Sequence, residues 1–214
     1  MRKTVLTDRA LRARRPMEGA DVPRASREQA QAHRRQVLDA AAAQVREHGA
    51  AAMTVPELMA AAGLTHGGFY RHFRSKEDLV TQACTAAYAE KIDEMDRIRA
   101  ASADGAAARR TFIQRYLSTA HRDTPANGCG IAATAADVAR APADSPLRQA
   151  YLDGIQNMIG KLAEFDDRST TDPDLLVELS TMAGALMLAR ATGDAELSRR
   201  ILEAARDHLV GDPE

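Results

Sequence analysis

Along residues 26–48, "SREQAQAHRRQVLDAAAAQVREH", apolar positions recur at helical spacing in Val37, Leu38, Ala41, Ala42 and Val45. This predicts an amphipathic helix that Ser26 caps and Gly49 ends at its C′ position. In "TVPELMAAAG", Thr54 and Glu57 form a capping box, Pro56 sits in the first turn and Gly63 stops a short helix. Thr65 caps another short helix running to about Phe73. Ser75 and Asp78 supply a second capping box, opening a long helix whose apolar face carries Leu79, Ala83, Ala86, Ala87, Ile92, Met95 and Ile98.

Further along, helices are predicted over about 105–121, 131–141, 147–165, 173–192 and 195–210. "RDTPANGCG", "APADSP" and "DDRSTTD" separate them as loops. β-branched runs are scarce, aromatics make up only 4 % and Trp is absent. The pattern is all-α, with about nine helices and no internal repeat.

Residues 1–25 have no apolar period and carry scattered arginines with Pro16, Gly19 and Pro23, which reads as a flexible basic arm. Three regions result: the arm, residues 26–81, and a larger helical part over 82–214. No apolar run approaches the ~20 residues of a membrane span, and the two cysteines make no disulfide framework. A soluble cytoplasmic protein with no membrane partner is the simplest expectation.

Charge changes the picture. Residues 1–81 hold fourteen Lys and Arg against nine Asp and Glu, whereas residues 82–214 hold fifteen against twenty-one. A basic N-terminal part on an acidic body points to a polyanionic partner, although a solvated basic arm supplies much of the same excess. The run of a helix, a short helix, a tight turn and a second short helix is the layout of a helix-turn-helix, whose second helix enters the major groove. Phe69 and Phe73, four residues apart, share one face and anchor it. Gly67 and Gly68 each give up about 1 kcal/mol of helical preference relative to Ala, trading it for clearance where helix and DNA meet. Tyr70 and His72 can donate to phosphates, joined by Lys76 at the start of the long helix.

"TVPELMAAAGLTHGGFYRHFRSKEDLV" closely resembles the DNA-binding segment of TetR-family transcriptional regulators, and "VLDAAAAQVREHGAAAM" resembles that family's first helix. The resemblance covers about residues 30–85. It implies a three-helix DNA-binding domain over 26–81 and an effector-binding and dimerisation domain over 82–214. It also implies a homodimer whose recognition helices, about 34 Å apart, read a palindromic double-stranded operator. Matched position by position, Thr54, Tyr70, His72 and Lys76 hold phosphates, and Thr65, His66, Gly67 and Gly68 lie on the base-reading part. Gln44 and Val45 depart from the family's common bulky pair, and Met59 from a usual Ala, so that Met59 is expected to fill the volume lost at Val45.

In the larger part, Leu175, Leu179, Met182 and Leu186, with Leu197 and Ile201 of the last helix, are expected to build a four-helix dimer interface. By the resemblance, central helices surround a small effector. Phe112, Tyr116, Ile131, Met158, Leu162, Phe165 and Met182 are candidates for an apolar pocket and a lipophilic ligand. The expected mechanism is a repressor that effector binding releases from DNA. Cys129, in "NGCGI" before a predicted helix, is a candidate reactive thiol for an alternative, thiol-sensing regulator. An enzyme is not expected: HExxH, CxxC, G-x-S-x-G and glycine-rich phosphate loops are all missing, and the six histidines show no metal spacing. No metal or other cofactor is implied. A cofactor-free helical enzyme and a ligand-free DNA-associated protein are the remaining alternatives, and the acidic body weighs against the second.

Overall fold

A computed structural model describes residues 24–61, 69–70 and 72–211. Nine α-helices and no strand occur among the described residues. They are α1 (Arg24–His48), α2 (Val55–Ala61), α3 (Lys76–Ala101), α4 (Gly105–Tyr116), α5 (Thr119–Asp123), α6 (Gly130–Arg140), α7 (Pro146–Phe165), α8 (Pro173–Ala191) and α9 (Ala195–Val210), with a 3₁₀ turn at Pro125–Asn127. Residues 1–23 of the expected arm lie outside the described residues, and helix already begins at Arg24, ahead of the Ser26 cap.

Local chemistry sets most of the ends. Gly49 terminates α1 at φ +83°, the left-handed conformation a C′ glycine adopts without strain. Ser75 accepts from the Asp78 amide at 3.0 Å, and the Asp78 carboxylate reaches back to accept from the amide of Arg74, one residue before the cap, at 2.9 Å, which closes the start of α3 from both sides. The side chains of Asp104, Ser118, Ser145, Asp172 and Asp194 cap α4, α5, α7, α8 and α9, each by accepting from a first-turn amide. The helix expected over 105–121 is broken: α4 ends at Tyr116, and Ser118 starts α5 by accepting from the His121 amide. The stretch read as a loop, "RDTPANGCG", accordingly contains the end of α5 and the 3₁₀ turn.

One continuous apolar core runs through the chain, from Val37, Val45, Leu58, Met59, Phe69 and Phe73 to Met95, Phe112, Leu162, Met182 and Leu202. Val45 and Met59 are both fully buried in it. The division expected between residues 81 and 82 falls inside α3, which packs on α1 near its start and on α7 beyond. The close approach of α4 to the end of α7 depends on Gly105, since a Cβ there would sit 1.5 Å from the Phe165 carbonyl oxygen. Glu178, 2 % exposed, accepts from Arg109 of α4 at 2.8 Å and from Arg168 at 3.0 Å, tying α8 to both.

Candidate nucleic-acid interface

The N-terminal face is built from two anchors and the polar groups they hold outward. Phe69 and Phe73 are buried and stacked, with ring centroids 5.7 Å apart. The neighbour they carry, Tyr70, is 74 % exposed, its ring set edge-on to Phe69 at 5.1 Å. A hydroxyl on an exposed ring, braced by a buried one, is a well-placed phosphate donor. Lys76 is exposed on the first turn of α3, where the helix dipole favours an anion, and Arg74 is exposed two residues earlier. His72 is half-buried with its ring against Phe73. Thr54 is exposed, and its hydroxyl bonds to Glu57 within the capping box of α2. Thr65, His66, Gly67 and Gly68 lie outside the described residues.

A network behind this face fixes the start of α3. Arg34 of α1 donates to the Gln82 side chain, Gln82 donates to Asp78 at 2.8 Å, and the Arg34 guanidinium lies 5.4 Å over the Phe73 ring. The Arg74 amide and Gln82 bonds, with the charges of Arg74 and Arg34, hold the Asp78 carboxyl below its usual pKa.

Two residues missed in the sequence join this region to the rest. Arg46, 5 % exposed near the end of α1, donates to the Ala126 carbonyl of the 3₁₀ turn and pairs with Glu90 of α3 at 2.7 Å. Asp137 of α6 accepts from the Ala51 amide at 3.2 Å. The only sequence signal for Arg46 is its place directly after Val45, the last apolar position of the stripe, and two residues before α1 ends at His48.

Residues 37–83 match the family model described as bacterial regulatory proteins, tetR family. That stretch holds the end of α1, α2, the anchored Phe69–Phe73 segment and the start of α3. Over this stretch the chain is similar to that family, and its fold is similar to that of solved TetR regulators. A TetR transcriptional regulator from Chloroflexus aurantiacus J-10-FL is 27 % identical, with 86 % of this chain and 94 % of that one covered at a TM-score of 0.70. The reduced form of NemR from E. coli, 20 % identical, is covered over 96 % of its length and 84 % of this chain at a TM-score of 0.69. A TetR-family regulator from Agrobacterium tumefaciens is 17 % identical, with 84 % and 98 % covered at a TM-score of 0.69. No curated protein matches. No helix among the described residues is long and apolar enough to cross a membrane.

In this TetR-type body the candidate ligand residues are closely packed. Phe112, Tyr116, Ile131, Met158, Leu162, Phe165 and Met182 are all at most 5 % exposed. Phe112 lies 5.7 Å from the Tyr116 ring and 6.1 Å from the Phe165 ring. Phe112 and Tyr116 line a cavity between α3, α4 and α5, and all seven belong to the apolar core. An apolar cavity of about 350 Å³ lies elsewhere, between α3 and α7, lined by Tyr88, Ala89, Ile92, Pro146 and Ala150 among others. The expected dimer stripe also needs correction. Leu175, Leu179, Met182 and Leu186 point into the subunit's own core, each at most 7 % exposed. Only Leu197 is exposed, and Ile201 is half-buried. The apolar side chains that α8 presents outward are Leu176, Val177, Met187 and Leu188. Cys129, the N-cap of α6, is fully buried, which shields its sulfur from bulky electrophiles.

Proposed function

We propose that the protein is a homodimeric, ligand-responsive repressor that binds a palindromic operator and leaves it when a small effector binds. The supporting observation is the continuity of α3. This helix begins with a capping box beside the DNA-facing residues Tyr70 and Lys76 and runs on along α7, past the cavities of the larger part. An effector that binds better to one tilt of this helix shifts the population of DNA-competent dimers.

In this reading Thr54, Tyr70, His72 and Lys76 contact phosphates, with Arg74 added to them, while Thr65, His66, Gly67 and Gly68 face base edges. The dimer forms through the outward faces of α8 and α9, where Leu176, Val177, Leu188 and Leu197 leave an exposed apolar surface that a monomer gains by covering.

The deciding experiment is a gel shift of the DNA flanking the protein's own gene at fixed salt with excess nonspecific competitor, followed by selection from a random DNA pool. A discrete complex with a palindromic consensus, lost in Tyr70→Ala, supports the reading. Pools that yield no consensus at micromolar protein contradict it. Leu188→Glu tests the dimer, because sedimentation should then show a monomer.

A further inference from the structure

The apolar cavity of about 350 Å³ between α3 and α7 joins an apolar floor to a polar rim. At the floor lies Tyr88, 4 % exposed. Its ring is held between two glycines: a Cβ at Gly154 of α7 would stand 2.7 Å from it, and one at Gly130 of α6 3.0 Å. Its hydroxyl is already bonded to Thr134 at 2.8 Å. Tyr88 therefore offers the cavity a fixed ring and no spare polar group. Ala89, Ile92, Pro146 and Ala150 complete the apolar wall.

The rim presents acceptors. Thr85 donates its hydroxyl hydrogen to the Thr81 carbonyl at 3.0 Å, which leaves its oxygen to accept. Gln149 donates to Asp153 Oδ1 at 2.8 Å, and Oδ2 of that carboxylate has no partner among the described residues. Asn157 adds an amide one turn further along α7. Asp153 is the one charged residue in these walls, and it forms no ion pair among the described residues. Other carboxylates of α3 and α7 are neutralised: Glu90 by Arg46, Glu94 by Lys91, and Asp96 and Glu164 by Lys161. A neutral or anionic occupant would take water from the Asp153 carboxylate and return no counter-charge, a cost that a cation removes. The excess of twenty-one acidic over fifteen basic residues in 82–214 also draws cations to this part of the chain.

Building on the regulator reading, we propose that this cavity is the effector site and that its ligand is a small lipophilic amine, bound as the ammonium. The ammonium donates to Asp153 Oδ2, with the Thr85 and Asn157 oxygens as further acceptors, and the apolar body lies on Tyr88 and Ile92. A volume at the lower end for ligand sites suits one ring on a short chain. The ligand is thus lipophilic, as the sequence suggests, with one charged end added. The site also has a route to the DNA-binding segment. Ala89 and Ile92 belong to α3 and Asp153 to α7, so an occupant presses on both helices, and α3 begins beside Tyr70 and Lys76.

The test is calorimetric titration of the full-length protein at pH 7 with 4-phenylbutylamine, 4-phenylbutan-1-ol and 4-phenylbutanoate, beside a gel shift on selected DNA with and without the amine. The three probes differ in the charge of one end, and the amine is protonated at this pH as a lysine side chain is. The expected result is that the amine binds at least fivefold tighter than the alcohol, at least tenfold tighter than the carboxylate, and releases the DNA. Asp153→Asn, a near-isosteric change at an exposed position, should erase the preference for amine over alcohol. Ala89→Phe, an independent variant that fills the cavity from α3, should abolish binding of both. Equal binding of amine and alcohol, a preference that survives Asp153→Asn, or binding that survives Ala89→Phe overturns the site. A DNA complex without amine binding overturns the site and leaves the regulator standing. Amine binding that leaves the DNA complex intact at saturation overturns the effector role. Amine-selective binding without any DNA complex upholds the cavity's ligand class and sinks the regulator.

Discussion

The guanidinium of Arg46 and the backbone carbonyl of Ala126, eighty residues apart, are joined by a hydrogen bond from the end of α1 to the 3₁₀ turn. Arg46 is buried, so this is a desolvated, charge-assisted contact, reinforced by Glu90. Arg46→Ala leaves that carbonyl without its donor and should cost about 2–3 kcal/mol of stability. Urea unfolding measures it, and a loss below about 0.5 kcal/mol would mean the contact contributes nothing.

On the surface proposed to face DNA the expectation is the opposite. Tyr70 and Lys76 are exposed, so their alanine variants should stay within about 0.5 kcal/mol of wild-type stability. Lys76→Ala should lower the slope of log affinity against log salt by about 0.9, the signature of one lost phosphate contact. An unchanged slope would remove Lys76 from the interface.

His121 gives a pH signature. Its folded pKa, about 4, lies below the ordinary value of 6.5, so between these limits the unfolded chain binds more protons than the folded one. Stability is then full above pH 6.5 and falls as the pH drops towards 4, by up to about 3 kcal/mol. His121→Gln should flatten that window relative to wild type. Parallel curves for the two proteins would show that the histidine is no harder to protonate when folded.

Gly105 is set by contact rather than by turn geometry. A Cβ there meets the Phe165 carbonyl oxygen at 1.5 Å, and backbone cannot yield as a side-chain tip does. Gly105→Ala should cost about 3 kcal/mol or more, read by thermal melting. A variant as stable as wild type would mean that α4 and α7 separate freely.

The helix ends were the most legible part of this chain, because capping is local chemistry: Thr54 with Glu57, Ser75 with Asp78 and Gly49 all do what their residue types suggest. The break after Tyr116 was not, since "YLSTAH" holds neither Gly nor Pro and Ser118 acts as a cap only once the chain has turned. The face of α8 was misread for a different reason. Leu175, Leu176, Val177, Leu179, Met182, Leu186, Met187 and Leu188 are apolar nearly all round the helix, so periodicity marks no inner side and tertiary packing chooses it. The cavity beside Phe112 and Tyr116 was hidden for the same kind of cause. These two look like core, and they are buried; that space remains beside them depends on where α3, α5 and the 3₁₀ turn come to rest.

The 26 residues of α3 contain neither Gly nor Pro. At 1.5 Å per residue such a helix is a stiff rod about 39 Å long with no hinge inside it. Turning one end of it by about 5° carries the other end about 3 Å, nearly a full base-pair step of about 3.4 Å. In the regulator proposed here, a small displacement at one end of this rod would be magnified at the other into a misfit the size of the DNA's own repeat.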